Sequence, residues 1–401
     1  MRGKWMAVSL LFVGCAVWAG DAGKWKPGLQ QGVPTSGGFN IDLFIPNAYA
    51  EQPERKFPIL FMSSASGKPR VKAFTDWAGK HSIVLLGING AKNGPWEPIK
   101  ARQTAAVAFA EKELRISECL RFSMGMSGGA QMSWLICNTY PKKHAGILMM
   151  GQAGLSELPP KHVAVAFIHG DKEPNNPFIA RAISKLKRAG NPVREIVRPG
   201  GHISGPHSDQ VAMLTWMLTL ERYSHPDRSK EEVAQAKAEA VKRINGLSGI
   251  ASAAERFDEA AELFTIPDLN KWPEAKTLAS VWLKAALEKA SGINDAVEKH
   301  GFLADIENSE HLKLVPSAEA RTLKTTLSEM RKDRTIRKEY DADKMLRKII
   351  LFEAQAKNKS AWRQVLGGYT ALKTRYAGTR AAAKAEEGIK RMENKINPPR
   401  R

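Results

Sequence analysis

The chain has 401 residues, more than one ordinary domain needs and enough for two. Hydrophobic residues make up 43% and charged residues 25%, which excludes a disordered or fibrous chain. The formal net charge is +20, but Lys and Arg are scattered and mixed with acids, as between Glu329 and Lys348, so the concentrated basic stripe of a nucleic-acid binder is missing.

At the N-terminus Arg2 and Lys4 precede an apolar run from Met6 to Trp18, followed by the small residues Ala19 and Gly20. This is the order of a secretory signal peptide, residues 1–19, with cleavage expected after Ala19 and a secreted or periplasmic product. The run is short for a bilayer span, and no later stretch offers about 18 uninterrupted apolar residues, so no transmembrane segment is expected. A second reading is a lipoprotein: Leu11-Phe12-Val13-Gly14-Cys15 approaches a lipobox, with Cys15 lipidated. Without Cys15 the chain keeps Cys119 and Cys137, an even pair that export allows to be either a disulfide or two buried thiols.

Strands and helices then alternate to about residue 222. Phe39 to Ile45 alternates apolar and polar residues, as a half-buried strand does. Pro58 to Ser63 and Ile83 to Ile88 are short apolar runs suited to central parallel strands, with a helix at Phe74 to His81 between them. Further helices are predicted at 101–114, 128–140, 178–188 and 208–221, and further strands at 120–126, 145–150, 163–169 and 193–198. This repetition means a parallel sheet wrapped by helices, an α/β domain over 20–225.

Beyond Ser224-His225-Pro226-Asp227 strand signals vanish and Ala, Glu, Lys and Arg dominate. Ser229 with Glu232 reads as a capping box. Helices are predicted at 229–245, 252–264, 272–290, 318–330, 341–356, 361–376 and 380–396, making 226–401 an all-α domain. Trp362, Leu366, Gly367 and Tyr369 echo the start of a tetratricopeptide repeat, but a single copy lacks stacked neighbours, so a plain helical hairpin is the expectation. An envelope or protein partner for this region is a further expectation.

The residues that carry chemistry lie in the first half. Gly125-Met126-Ser127-Gly128-Gly129 fits Gly-x-Ser-x-Gly, with a predicted strand before it and a helix after it, the context of a nucleophile elbow. A serine hydroxyl needs a neighbouring base. His202 sits on Pro199-Gly200-Gly201-His202, after the last strand, where such a base belongs; His207 is placed nearer a helix start, and His169 inside a strand end. The orienting acid should follow the preceding strand, and both Asp171 and Glu173 lie on that loop. An oxyanion hole would use the Gly128 N–H and one from Ser63, Ser64 or Ala65, of which Ser64 is preferred. No metal-binding or phosphate-cradling motif is present in the sequence, so no metal or cofactor is expected.

On these residues the chain resembles the secreted esterase and depolymerase branch of the α/β-hydrolases, which includes polyhydroxybutyrate depolymerase-like and feruloyl or acetylxylan esterase-like enzymes. The resembling segments are Asp42 to Pro46, Phe57 to Phe61, Leu120 to Met132, Ala145 to Gly154, Phe167 to Asn176 and Pro199 to His202, under half of the chain. The resemblance implies an ester or polymer-ester substrate and places the acid three residues after the strand-ending glycine, hence at Glu173, with Asp171 as the alternative. Met62-Ser63 stands where many members carry His-Gly. Two other readings remain: a hydrolase fold that only binds, and a serine peptidase using the same three residues.

Overall fold

The computed structural model describes residues 24–153, 157–356 and 358–397. The expected signal peptide, its cleavage site and Cys15 lie outside them. In chain order the elements are strands β1 (Gly28–Pro34) and β2 (Asn40–Ile45), helix α1 (Ala48–Glu51), β3 (Phe57–Ser64), α2 (Thr75–His81), β4 (Val84–Ile88), α3 (Trp96–Glu113), β5 (Ile116–Met126), α4 (Gly128–Thr139), β6 (His144–Met150), β7 (Ala164–Gly170), α5 (Asn176–Ala189), β8 (Val193–Arg198) and α6 (His207–Ser224). Then come only helices: α7 (Lys230–Gly246), α8 (Ala253–Leu263), α9 (Ala275–Ser291), α10 (Ala296–Glu307), α11 (Ser317–Met330), α12 (Arg334–Gln355), α13 (Lys359–Arg375) and α14 (Arg380–Ile396), with short 3-10 turns between some of them. The chain divides into two compact units between Ala236 and Lys237.

The eight strands form one sheet in the order β1-β2-β4-β3-β5-β6-β7-β8, antiparallel at β1–β2 and β2–β4 and parallel from β4 to β8. The sheet is mostly parallel and wrapped by helices, as the sequence reading expected. The central strands are buried on both faces, which is why they read as apolar runs. One face packs Leu60, Phe122 and Met124 against Trp77 of α2 and Met213 and Met217 of α6. The other sets Phe61 and Leu86 against Val107 of α3 and Ile136 of α4, and Phe167 against Ile179 of α5. The loop after β3 leads to α2 on the first face and that after β5 to α4 on the second. The carboxyl ends of these adjacent strands are therefore the switch point where a doubly wound sheet opens a crevice.

One strand and several helices departed from the sequence reading, among them the unanticipated α1 and α12, which starts at Arg334 rather than at 341. β1 was not anticipated: Gly-Leu-Gln-Gln-Gly-Val-Pro has little apolar alternation because it is an edge strand with an irregular register between Gln30 and Val33. α10 was also missed, although Asp295 caps it by accepting from the Glu298 N–H at 2.6 Å. α3 begins at Trp96 rather than Ala101, because Pro98 falls in its first turn, where no N–H is needed.

Cys119 and Cys137 are both free thiols. The disulfide alternative therefore falls, and the reason is topological. Cys119 belongs to the cluster on the α2/α6 face, whereas Cys137, on α4, belongs to that on the opposite face. Burial raises both thiols above their usual pKa, so both stay protonated and inert.

In the second unit α12, α13 and α14 share a cluster of Leu346, Val365, Tyr369, Leu372, Ala385 and Met392. Tyr369 donates to Glu353 Oε2 at 2.5 Å, and Arg391 lies 3.1 Å from the same oxygen. Within the first unit, Ser229 and Glu232 close a reciprocal capping box at the start of α7, at 2.9 and 3.1 Å. No described helix is long and apolar enough to cross a membrane.

Candidate active site

β5 ends at Met126 and α4 begins at Gly128, leaving Ser127 alone to reverse the chain. It does so at φ 55° and ψ −122°, a region seldom adopted by residues other than glycine. Such a conformation costs on the order of 1–3 kcal/mol and persists only when its surroundings enforce it. They do so here. The Ser127 N–H donates to the Met150 carbonyl at 2.8 Å, and its own carbonyl accepts from the Ala130 N–H at 2.9 Å. Gly125 allows strand and helix to meet this closely, since a Cβ there would lie 2.3 Å from the carbonyl carbon and oxygen of Gly129. Ser127 is thus presented, half-buried, at the carboxyl end of β5.

A cavity of about 470 Å³ opens above it, lined by Ser127 together with His202, Ser63, Ser64 and Ala65. Ser64 ends β3 in register with Met126, one residue before the nucleophile candidate. Gly128 is the first residue of α4, whose opening N–H groups have no partner inside the helix. Met62, Phe74, Met124 and Met150 supply a buried apolar floor. Met62-Ser63, the departure noted in the sequence, therefore leaves a methionine wall in the cavity.

His202 lies on the loop from β8 to α6, and its Nδ1–H donates to Glu173 Oε2 at 2.8 Å. The carboxylate of Glu173 is fully buried while the imidazole is 38% exposed. The other carboxylate oxygen, Oε1, accepts from the backbone N–H of Asn175 at 3.1 Å and from its side-chain amide at 3.0 Å. The same amide donates to the Gly151 carbonyl at 3.0 Å, tying this loop to the end of β6. Glu173 is held at both oxygens, so its direction, and with it the tautomer and tilt of His202, is set before any ligand arrives. The remaining ring nitrogen, Nε2, is left as the acceptor.

Asp171 does something else. It is exposed, and its Oδ1 accepts from the Gly200 N–H at 2.9 Å, so it fastens the loop that carries His202 without touching the imidazole. His207 begins α6 and meets the Phe74 ring edge-on at 4.8 Å. His169 is buried, with Nε2 2.9 Å from Glu195 and Nδ1 3.1 Å from the Gly170 carbonyl. A bidentate pair, Arg198 to Asp209 at 2.7 and 2.6 Å, anchors the end of β8 to α6 beneath the His202 loop, and the Arg198 guanidinium holds Asp209 below the usual carboxylate range. Asn175 and Asn93 were not singled out in the sequence. The Oδ1 of Asn93 fills the place where a Gly128 side chain would begin, 1.7 Å from that Cβ position. Among the described residues no group of three or more His, Cys, Asp or Glu is placed to hold a metal ion.

The two carboxylates make separable predictions. If this site cleaves esters, Glu173→Ala should lower kcat toward a chromogenic ester by about 10³–10⁴, whereas Asp171→Asn should stay within about tenfold of wild type. Steady-state kinetics of both variants, with circular dichroism to verify folding, checks the assignment; a larger loss at Asp171 would reverse it.

No protein-family model matches the chain, and no curated protein matches it in sequence. Among solved structures it is similar to a ferulic acid esterase, with 17% identity and a TM-score of 0.37 over 45% of this chain and 91% of that one. It is similar to the S-formylglutathione hydrolase FrmB of Staphylococcus aureus, with 13% identity and a TM-score of 0.38 over 47% and 95%. A Bacillus cereus carboxylesterase is matched at 13% identity and a TM-score of 0.36 over 45% and 94%.

Proposed function

We propose that this protein is a serine hydrolase that cleaves carboxylic esters through an acyl-enzyme on Ser127. The observation that carries the reading is one cavity lined by both a serine on a strained turn and an imidazole whose far nitrogen is bonded to a buried carboxylate. In this mechanism Ser127 Oγ attacks the ester carbonyl carbon as His202 Nε2 takes the hydroxyl proton. Glu173 stabilises the imidazolium and holds the ring in place. The tetrahedral oxyanion is received by the Gly128 N–H at the start of α4 and the Ser64 N–H at the end of β3. His202 then returns the proton to the leaving alcohol as the C–O bond breaks. Water repeats the sequence on the acyl-enzyme, releasing the acid and restoring the serine.

Reaction with a fluorophosphonate probe tests this directly. The wild-type protein should gain one phosphonyl group by intact mass, and Ser127→Ala should gain none. Failure of the folded wild type to react would overturn the reading.

We further propose that the enzyme works outside the cytoplasm, supported by the charged, apolar and small-residue order of residues 2–20. The mature chain should begin at Gly20 on N-terminal sequencing; a lipid-modified start at Cys15 would place it on a membrane surface instead, and an uncleaved Met1 would refute export.

A further inference from the structure

The walls of the Ser127 cavity carry a charge that ester hydrolysis does not require. After β3 the chain runs Ser64-Ala65-Ser66-Gly67-Lys68-Pro69-Arg70, and both Lys68 and Arg70 line the cavity, whereas no Asp or Glu does. Among the described residues neither cation has an ion-pair or hydrogen-bonding partner. This contrasts with Arg198 in the adjoining groove, whose guanidinium is occupied by Asp209.

The segment that holds the two cations is fixed. The Gly67 N–H donates to the Ser64 carbonyl at 2.8 Å, the Gly67 carbonyl accepts from Gly90 at 2.8 Å, and the Ala65 carbonyl accepts from Asn93 at 2.9 Å. Pro69 and the buried Val71 seat on Gly87 of β4, so closely that a Cβ there would lie 2.8 Å from Pro69 Cγ and 2.5 Å from Val71 Cγ2. The backbone bearing Lys68 and Arg70 is therefore pinned to the sheet on both sides, and little backbone order must be gained when a ligand is bound. The same cavity carries the methionine and phenylalanine floor together with Ser127 and the two cations.

We propose that the cavity selects esters bearing an anionic group, a carboxylate or a phosphate, at the end of a short apolar body, with Lys68 and Arg70 receiving the anion while Ser127 meets the carbonyl. This rests on the serine-hydrolase reading and narrows it to a substrate class. Arg70 offers a forked donor set suited to either anion and Lys68 a point charge, so the two act together rather than interchangeably.

The test compares five aryl esters of similar size at low ionic strength: p-nitrophenyl butyrate, the p-nitrophenyl glutarate half-ester with its carboxylate on the acyl side, p-nitrophenyl 4-trimethylammoniobutyrate, 4-butyryloxybenzoate with its carboxylate on the alcohol side, and phenyl butyrate. For the wild type, kcat/KM for at least one anionic ester, relative to the neutral ester of the same leaving group (phenyl butyrate for the benzoate), should be raised about three- to tenfold, the range two solvent-exposed charges supply. Adding salt should erode the ratio. The double variant Lys68→Glu with Arg70→Glu should lose it and favour the trimethylammonium ester, a reversal that a merely structural role for the loop would not produce. Replacing glutarate by a phosphoalkanoyl ester of equal length tells the two anions apart. Turnover of neutral esters with no preference for either anionic ester, or a preference that survives charge reversal, overturns this inference and leaves the hydrolase standing. No turnover of any ester overturns both.

Discussion

The site depends on a backbone constraint at one residue. Ser127 adopts a positive φ because β5 must end and α4 begin with no room for a gradual turn, and Gly125 and Gly129 remove the side chains that would keep strand and helix apart. The chain spends local conformational energy there, and the sheet around it holds the turn in place through the Met150 carbonyl and the packed faces of β5. Strain of this kind puts the hydroxyl at the carboxyl edge of the sheet, above the switch point between β3 and β5. Each other group of the site comes from the carboxyl end of another strand of the sheet: Ser64 from β3, Glu173 after β7 and His202 after β8.

A second constraint orients the His202 ring. A buried carboxylate is tolerable only when its oxygens are satisfied. Glu173 meets that need with Asn175 on one oxygen and His202 on the other, so the interaction that solvates the acid is also the one that aims the imidazole. Asp171, two residues away, faces solvent and binds a backbone N–H of the His202 loop. The two acids differ in burial and direction, not in chemistry.

That difference explains how much of the site the sequence carried. The turn at Ser127, the loop bearing His202 and the parallel sheet were legible because each has a local signature: Gly-x-Ser-x-Gly between a strand and a helix, a histidine after the last strand, and apolar runs too short for helices. Spacing left Asp171 and Glu173 both open, since adjacent loop residues of one type differ only by where their side chains point. Asn175 carried no signal, because an amide gains its role only once Gly151 and Glu173 are beside it. β1 was hidden by its polar edge character, and α10, despite its Asp295 cap, by weak periodicity around Gly301. Cys119 and Cys137 looked pairable in the text because strand and following helix run back past one another, but the sheet stands between them. The cationic cavity wall was equally invisible, since Lys68 and Arg70 are two of 61 basic residues until the fold brings them to the cavity that Ser127 also lines.

The central claim is that Ser127 and His202 act as one unit, and coupling between them measures it most directly. Residual kcat toward a neutral ester is compared for Ser127→Ala, His202→Ala and the double variant. If the pair shares one proton transfer, either single change removes nearly all of the rate enhancement, and the double variant is no slower than the worse single one. Losses that multiply, so that the double variant is slower by the product of the two factors, would mean that serine and imidazole contribute independently and would contradict the account.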